Sequence, residues 1–168
     1  MSRLARSLVS ALALSIASQA VPWSAVSAEA AVPAAAPQAA GVLRLRSTNG
    51  FDDTVARLKA DVQAKGIRYF DTIDQAALGA SANLQLRRST LVLFGNPPLG
   101  VQFLQSNPYS GLDWPVRMLV VEEPDGSVYV AWTDFAFIAE RYAIGDRGPQ
   151  FAMASEVAAS IAAAATAN

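Results

Sequence analysis

The feature that most constrains this chain is the run Thr90-Leu91-Val92-Leu93-Phe94, closed by Gly95-Asn96-Pro97-Pro98. Five consecutive apolar or β-branched residues leave no polar face for water. The segment Ser89–Phe94 therefore predicts a central strand, buried and paired on both edges. The prolines must end it, because proline cannot donate to a ladder.

Other segments supply partners for that strand. Val42–Ser47 alternates apolar residues with Arg44 and Arg46 and predicts a first strand. Asn49 predicts a helix N-cap, with Asp52 three residues on in the manner of a capping box. Val55, Leu58 and Val62 then form one apolar helical face that Gly66 closes. Ile67–Asp74 predicts a strand, Gln75–Leu84 a short helix or turn, Leu99–Ser106 a short helix and Asn107–Asp113 a loop. Val116–Val121 and Val128–Thr133, joined by Pro124-Asp125-Gly126-Ser127, predict a hairpin. Asp134 caps a helix through Tyr142, Gly145–Pro149 breaks it, and Ala152–Ala165 forms a last helix. This order, with one clear hairpin and no regular strand–helix alternation, predicts an α+β fold. Its sheet is largely antiparallel, of about five strands, with helices packed on one face.

The N-terminus has a different character. Arg3 and Arg6 are the only charges before Glu29, and Leu8–Ala20 is apolar or small. Two positive charges, a short apolar core and a small-residue end predict a secretory signal over residues 1–28. Small residues permit cleavage after Ala20, Ala28 or Ala30, with Val26-Ser27-Ala28 favoured; an uncleaved anchor is the alternative. The apolar core is shorter than the ~20 residues of a membrane span, so no stable span is expected. Residues 29–41, almost all Ala, Pro and Gln, read as a flexible tether, leaving residues 42–166 as one domain. The expected location is the periplasm or the outside of the cell.

Composition removes several chemistries. The chain has no cysteine and no histidine. Disulfides, a lipidated cysteine, Ser–His–Asp triads, cysteine nucleophiles and His/Cys zinc or haem sites are all excluded, and no metal or cofactor is expected. A Ser–Lys dyad would need Lys59 or Lys65, both on the first predicted helix. Without Arg3 and Arg6, the 13 basic residues fall to eleven against 14 acidic ones, a net charge of about −3. That balance gives no electrostatic basis for nucleic-acid binding.

Several segments together carry a family resemblance. They are Thr90–Pro97, Gly111-Leu112-Asp113-Trp114-Pro115 and Val120-Val121-Glu122-Glu123 with Asp125-Gly126. Thr54-Val55 and Leu58 before Lys65-Gly66-Ile67, Ile73-Asp74, and Ala139 with Arg141-Tyr142 complete the set. In this order and spacing the chain resembles the domain-of-unknown-function 302 family over about residues 42–145. The resemblance implies a compact α+β fold like the saddle sheet of TATA-binding-protein-like domains, and a homodimer. It implies no activity. Members of that family commonly carry His after the Ile-Asp pair, where this chain has Gln75, so a role resting on that His does not transfer. They usually have Leu at the position of Trp114.

The remaining candidates are carboxylates, amides, arginines and aromatics. Asp74, Asp113, Glu122, Glu123 and Asp134 offer acid–base chemistry or hard-cation ligation. Each also has an ordinary role: Asp134 and Asp74 as helix caps, Asp113 closing a loop, Glu122 and Glu123 on opposite sides of a strand. Asn96 either holds its turn or meets a ligand. Arg87 and Arg88 either bind an anion or are solvated. Phe94, Phe103, Tyr109, Trp114, Trp132 and Phe135 line a pocket or fill the core. Asn96 and Asp113 form the candidate ligand-binding pair, because antiparallel neighbouring strands would bring them to one end of the sheet, with Glu123 at the other. The expected function is an exported, non-catalytic binding or interaction module for a small molecule or an envelope protein. A carboxylate enzyme using Asp113 with Glu123 or Asp74, and a structural subunit of an envelope complex, are the alternatives.

Overall fold

A computed structural model of the chain describes residues 39–168. The expected signal at 1–28 and most of the tether, 29–38, lie outside the described residues.

Five antiparallel strands form one sheet in the order β1-β5-β4-β3-β2. They are β1 (Val42–Arg46), β2 (Arg68–Asp74), β3 (Ser89–Gly95), β4 (Val116–Glu122) and β5 (Val128–Thr133). The apolar run lies in β3 and is paired on both edges, with β2 and β4. The predicted hairpin is β4–β5, and Gly126 in its turn has φ +81°, a conformation glycine adopts without steric cost.

The helices are α1 (Phe51–Ala64), α2 (Gln75–Ser81), α3 (Pro97–Ser106), α4 (Phe135–Arg141) and α5 (Gly148–Thr166). Three helix starts differ from the sequence reading. Gly50, not Asn49, is the N-cap of α1, and no side chain caps it. Asn49 instead turns its amide to the end of α5, distant in sequence, donating to the carbonyls of Ala165 (3.2 Å) and Ala167 (2.8 Å). Pro97 and Pro98 end β3 and also begin α3, because the first turn of a helix needs neither a donated N–H nor a free φ. For the same reason Pro149 sits in the first turn of α5, which starts four residues earlier than predicted.

Strand alternation divides the sheet into two faces. Val92, Phe94, Met118, Val120, Val130 and Trp132 are buried beneath the helices, against Leu58 and Val62 of α1 and Ile161 and Ala162 of α5. The alanines of α5 keep its packed side thin and let it lie close to its neighbours. Burying each large aliphatic side chain here stabilises the fold by about 1.5–3 kcal/mol. On the opposite face Leu91, Leu119 and Ala131 stand side by side, since Leu91 pairs with Leu119 and Leu119 with Ala131. All three remain only partly buried.

Candidate functional site

The most concentrated chemistry surrounds Asp113. A short 3-10 helix, Pro108–Leu112, delivers this residue to the start of β4. Asn107 opens that helix: its side-chain oxygen accepts from the Tyr109 N–H at 3.0 Å, while its amide donates to the Tyr142 carbonyl at 2.8 Å. The second bond joins the segment to the end of α4 and sets Tyr142 and Arg141 beside Asp113.

The Asp113 side chain is 4% exposed, yet both oxygens are engaged. Oδ1 accepts from Nη2 of Arg117. Oδ2 accepts from the Tyr142 hydroxyl at 2.7 Å and faces Nη1 of Arg141 at 3.3 Å. Hydrogen bonding to Asp113 pushes the Tyr142 phenol above its ordinary pKa of 10.0, and burial and the Asp113 charge act in the same direction. A buried carboxylate is tolerated only when paired and hydrogen-bonded, and this one has two cationic partners. The cluster therefore carries one excess positive charge. The two arginine side chains, 42% and 51% exposed, keep N–H groups free beyond the carboxylate.

Those arginines border a cleft of about 410 Å³ on the open side of the sheet, where Val42, Leu91, Leu119 and Phe137 form apolar walls. Its size falls within the range of small-molecule sites.

Asn96 occupies a different place. The strand register sets Phe94 opposite Val116, so Asn96 and Asp113 share one end of the sheet, as the antiparallel topology requires. Asn96, however, lines a separate cavity of about 40 Å³ under α3, otherwise walled by residues such as Leu99, Phe103 and Trp114. It is the N-cap residue of α3 but makes no side-chain cap bond.

The other candidates have partners of their own. Glu123 binds Arg44 at 2.5 Å and Glu122 faces Arg87 at 3.8 Å. Both lie at the opposite end of β4 from Asp113, and β4 alone, Val116–Glu122, spans roughly 20 Å at ~3.3 Å per residue. Asp74 caps α2 through the Ala77 N–H (2.9 Å) and Asp134 caps α4 through the Ala136 N–H (3.0 Å). Gln75 accepts from the Ser89 hydroxyl at 2.6 Å. Arg88 pairs with Asp52, which holds the Asp52 carboxyl below its ordinary range. Lys65 binds Asp61, and Lys59 lies over the Tyr69 ring. Phe94, Phe103, Trp132 and Phe135 are core residues, whereas Tyr109 is 74% exposed. Among the described residues there is no group of three or more His, Cys, Asp or Glu side chains arranged to hold a metal ion.

Arg117 was absent from the sequence reading, Tyr142 entered it as the end of the helix that Asp134 caps, and Arg141 entered it only through the family resemblance. Local spacing gives some signal for Arg117, four residues after Asp113. None connects Asp113 to Tyr142, 29 residues away.

The model of the family described as Domain of unknown function DUF302 matches residues 43–167, and the chain belongs to that family. Over 105 residues it is 31% identical to the fluoride-specific ion channel FluC 1 of Brucella suis biovar 1 (strain 1330), covering 62% of this chain and 41% of that protein. It is equally identical, over the same length, to the fluoride-specific ion channel FluC 2 of Brucella melitensis biotype 1, covering 39% of that protein. The chain thus spans about two fifths of the length of these curated relatives. Among solved structures, an uncharacterized conserved DUF302 protein from Bacillus stearothermophilus superposes with a TM-score of 0.69 at 14% identity. That match takes in 76% of this chain and 99% of the other, and it establishes a shared fold.

Proposed function

We propose that this DUF302 chain is an exported, non-catalytic binding module that takes a small anionic ligand at Arg117 and Arg141. One observation carries the reading: a buried carboxylate, Asp113, holds two arginines whose outer N–H groups face a cleft of small-molecule size. Arginine's planar fork suits carboxylate and phosphate, and its orientation here is already set by Asp113 and by the α4 anchor. The strand register sets Asp74 and Glu123 at the far end of the sheet from Asp113, which favours this reading over a carboxylate enzyme using those pairs. The channel activity of the Brucella relatives belongs to those whole proteins and is not part of this reading. No helix among the described residues is long and apolar enough to cross a membrane.

Nuclear magnetic resonance titration of the mature chain with acetate and with inorganic phosphate tests the proposal. Arg117 and Arg141 side-chain signals are expected to shift saturably, and Arg141→Gln to weaken binding about tenfold or more. Absence of any saturable shift at these two residues sinks it. Export rests on Arg3, Arg6 and the apolar stretch that follows. Intact mass of the exported protein is expected to place its first residue between Val21 and Ala31; a chain that retains Met1 counts against export.

Self-association is a second reading, supported by Leu78, Leu84 and Leu86. All three are more than half exposed on the connection beside edge strand β2. Sedimentation equilibrium is expected to give a dimer that Leu84→Glu weakens.

A further inference from the structure

The arginine pair opens onto an apolar lane rather than a polar groove, and this narrows the ligand. Arg117 and Leu119 are two residues apart on β4 and so project from the same face of the sheet. The register then continues the lane across the strands, with Leu119 beside Leu91 on β3 and beside Ala131 on β5. Leu91 lies opposite Ile73 on β2. Phe137 of α4 and Val42 of β1 border the same cleft. Three neighbouring strands thus present aliphatic side chains in a row, with the cationic heads at one side.

The charge at the head is also defined. Two arginines against one aspartate leave a single positive charge, which suits one monoanionic group better than a dianion. A dianion would keep an unneutralised charge in a half-buried site.

We infer that the ligand class is a monoanionic amphiphile: a carboxylate head held by Arg117 and Arg141, with an aliphatic tail laid along Leu119, Leu91 and Ala131. This rests on the anion-binding reading and adds the tail. A head-only anion would leave the lane wet. A tail with no head would leave the arginine N–H groups to water and gain only the area term.

A chain-length series on the unaltered mature protein tests the inference by calorimetry, with acetate, butanoate, hexanoate, octanoate and the uncharged octanol as probes. Full burial of a methylene is worth about 0.8 kcal/mol, a factor of about four in affinity; partial burial on an open sheet gives about twofold. Octanoate is therefore expected to bind at least about tenfold more tightly than butanoate, and octanol more weakly than octanoate. Ala131→Glu sets a carboxylate on the lane and is expected to abolish the chain-length gain. Equal affinity of acetate and octanoate would overturn the amphiphile and leave the anion site standing. Failure of every acid to bind would overturn both. Octanol binding as tightly as octanoate would assign the cleft to apolar ligands and remove the arginines from recognition. The series needs no variant, so folding of Ala131→Glu does not decide it.

Discussion

The hydroxyl of Tyr142 donates to Oδ2 of Asp113 at 2.7 Å, joining the end of α4 to the start of β4. Both residues are buried, and the same carboxylate meets Arg117 through its other oxygen. This contact positions Arg141, one residue before Tyr142, at the mouth of the cleft.

The Tyr142 bond gives stability an alkaline dependence. The groups facing this phenol are Asp113, Arg141 and Arg117; Asp113 raises its pKa above 10.0 and the two arginines oppose that in part. The folded state keeps the proton longer than the unfolded state. The associated stability is therefore complete below about pH 10 and is lost as pH rises through the higher folded-state value. Denaturant midpoints measured from pH 8 to 11 are expected to fall above pH 10. Tyr142→Phe is expected to flatten that fall and to lower the midpoint at neutral pH by removing the hydrogen bond to Asp113. A variant with an unchanged alkaline slope would show that the phenol does not carry it.

Val92 is fully buried at the centre of β3, with strands on both sides and α1 above. Val92→Asp places an unpaired charge there and is expected to destabilise by about 3 kcal/mol or more. Urea denaturation reads this directly, and an equally stable Val92→Asp protein would contradict the burial.

Gly100 is required by Trp114. A Cβ at Gly100 would lie 1.7 Å from Nε1 of the indole, so Gly100→Ala must displace the ring from its seat against α3. A loss of about 1–3 kcal/mol is expected from overpacking, together with a red shift of tryptophan emission as Trp114 meets water. An unshifted spectrum at full stability would mean that the ring has another seat.

Asn49 closes the C-terminal end of α5. Its amide serves the Ala165 and Ala167 carbonyls, and Thr48 and Arg57 bond to Thr166 and Ala167 from the same side. Asn49→Ala removes two donors and is expected to cost about 1–2 kcal/mol. Amide exchange near Ala165–Ala167 should quicken first, and unchanged protection there would argue against the role.

Much of the fold was legible because its signals are local. The apolar run of β3, the Asp125-Gly126 turn of β4–β5 and the 3.6-residue spacing of Val55, Leu58 and Val62 act over a few residues. The pairing of β4 with β5 follows from their short connection, residues 123–127, whereas β3 and β4 are joined through α3 and the 3-10 helix. Helix starts were less legible, because Pro97 and Pro149 break one element and begin another with the same chemistry.

The sequence by itself determined which chemistries are closed to this protein, since a chain without His or Cys has neither imidazole nor thiolate to offer. It also determined the element order and the interior position of β3, paired on both edges, although β4 is the middle strand and one face of β3 stays only partly buried; backbone propensity and side-chain period act within a segment. The tertiary structure alone decided the site. Asp113, Arg117 and Tyr142 meet only because β4 runs beside β5 and α4 folds back over the sheet end, where Asn107 ties it down. A carboxylate in a loop reads the same whether it faces water or two arginines. What separates the two cases is burial and the direction of chain return, both properties of contacts distant in sequence. Asn96 and Asp113 show this directly: the topology brings them to one end of the sheet, and packing then turns them toward different cavities.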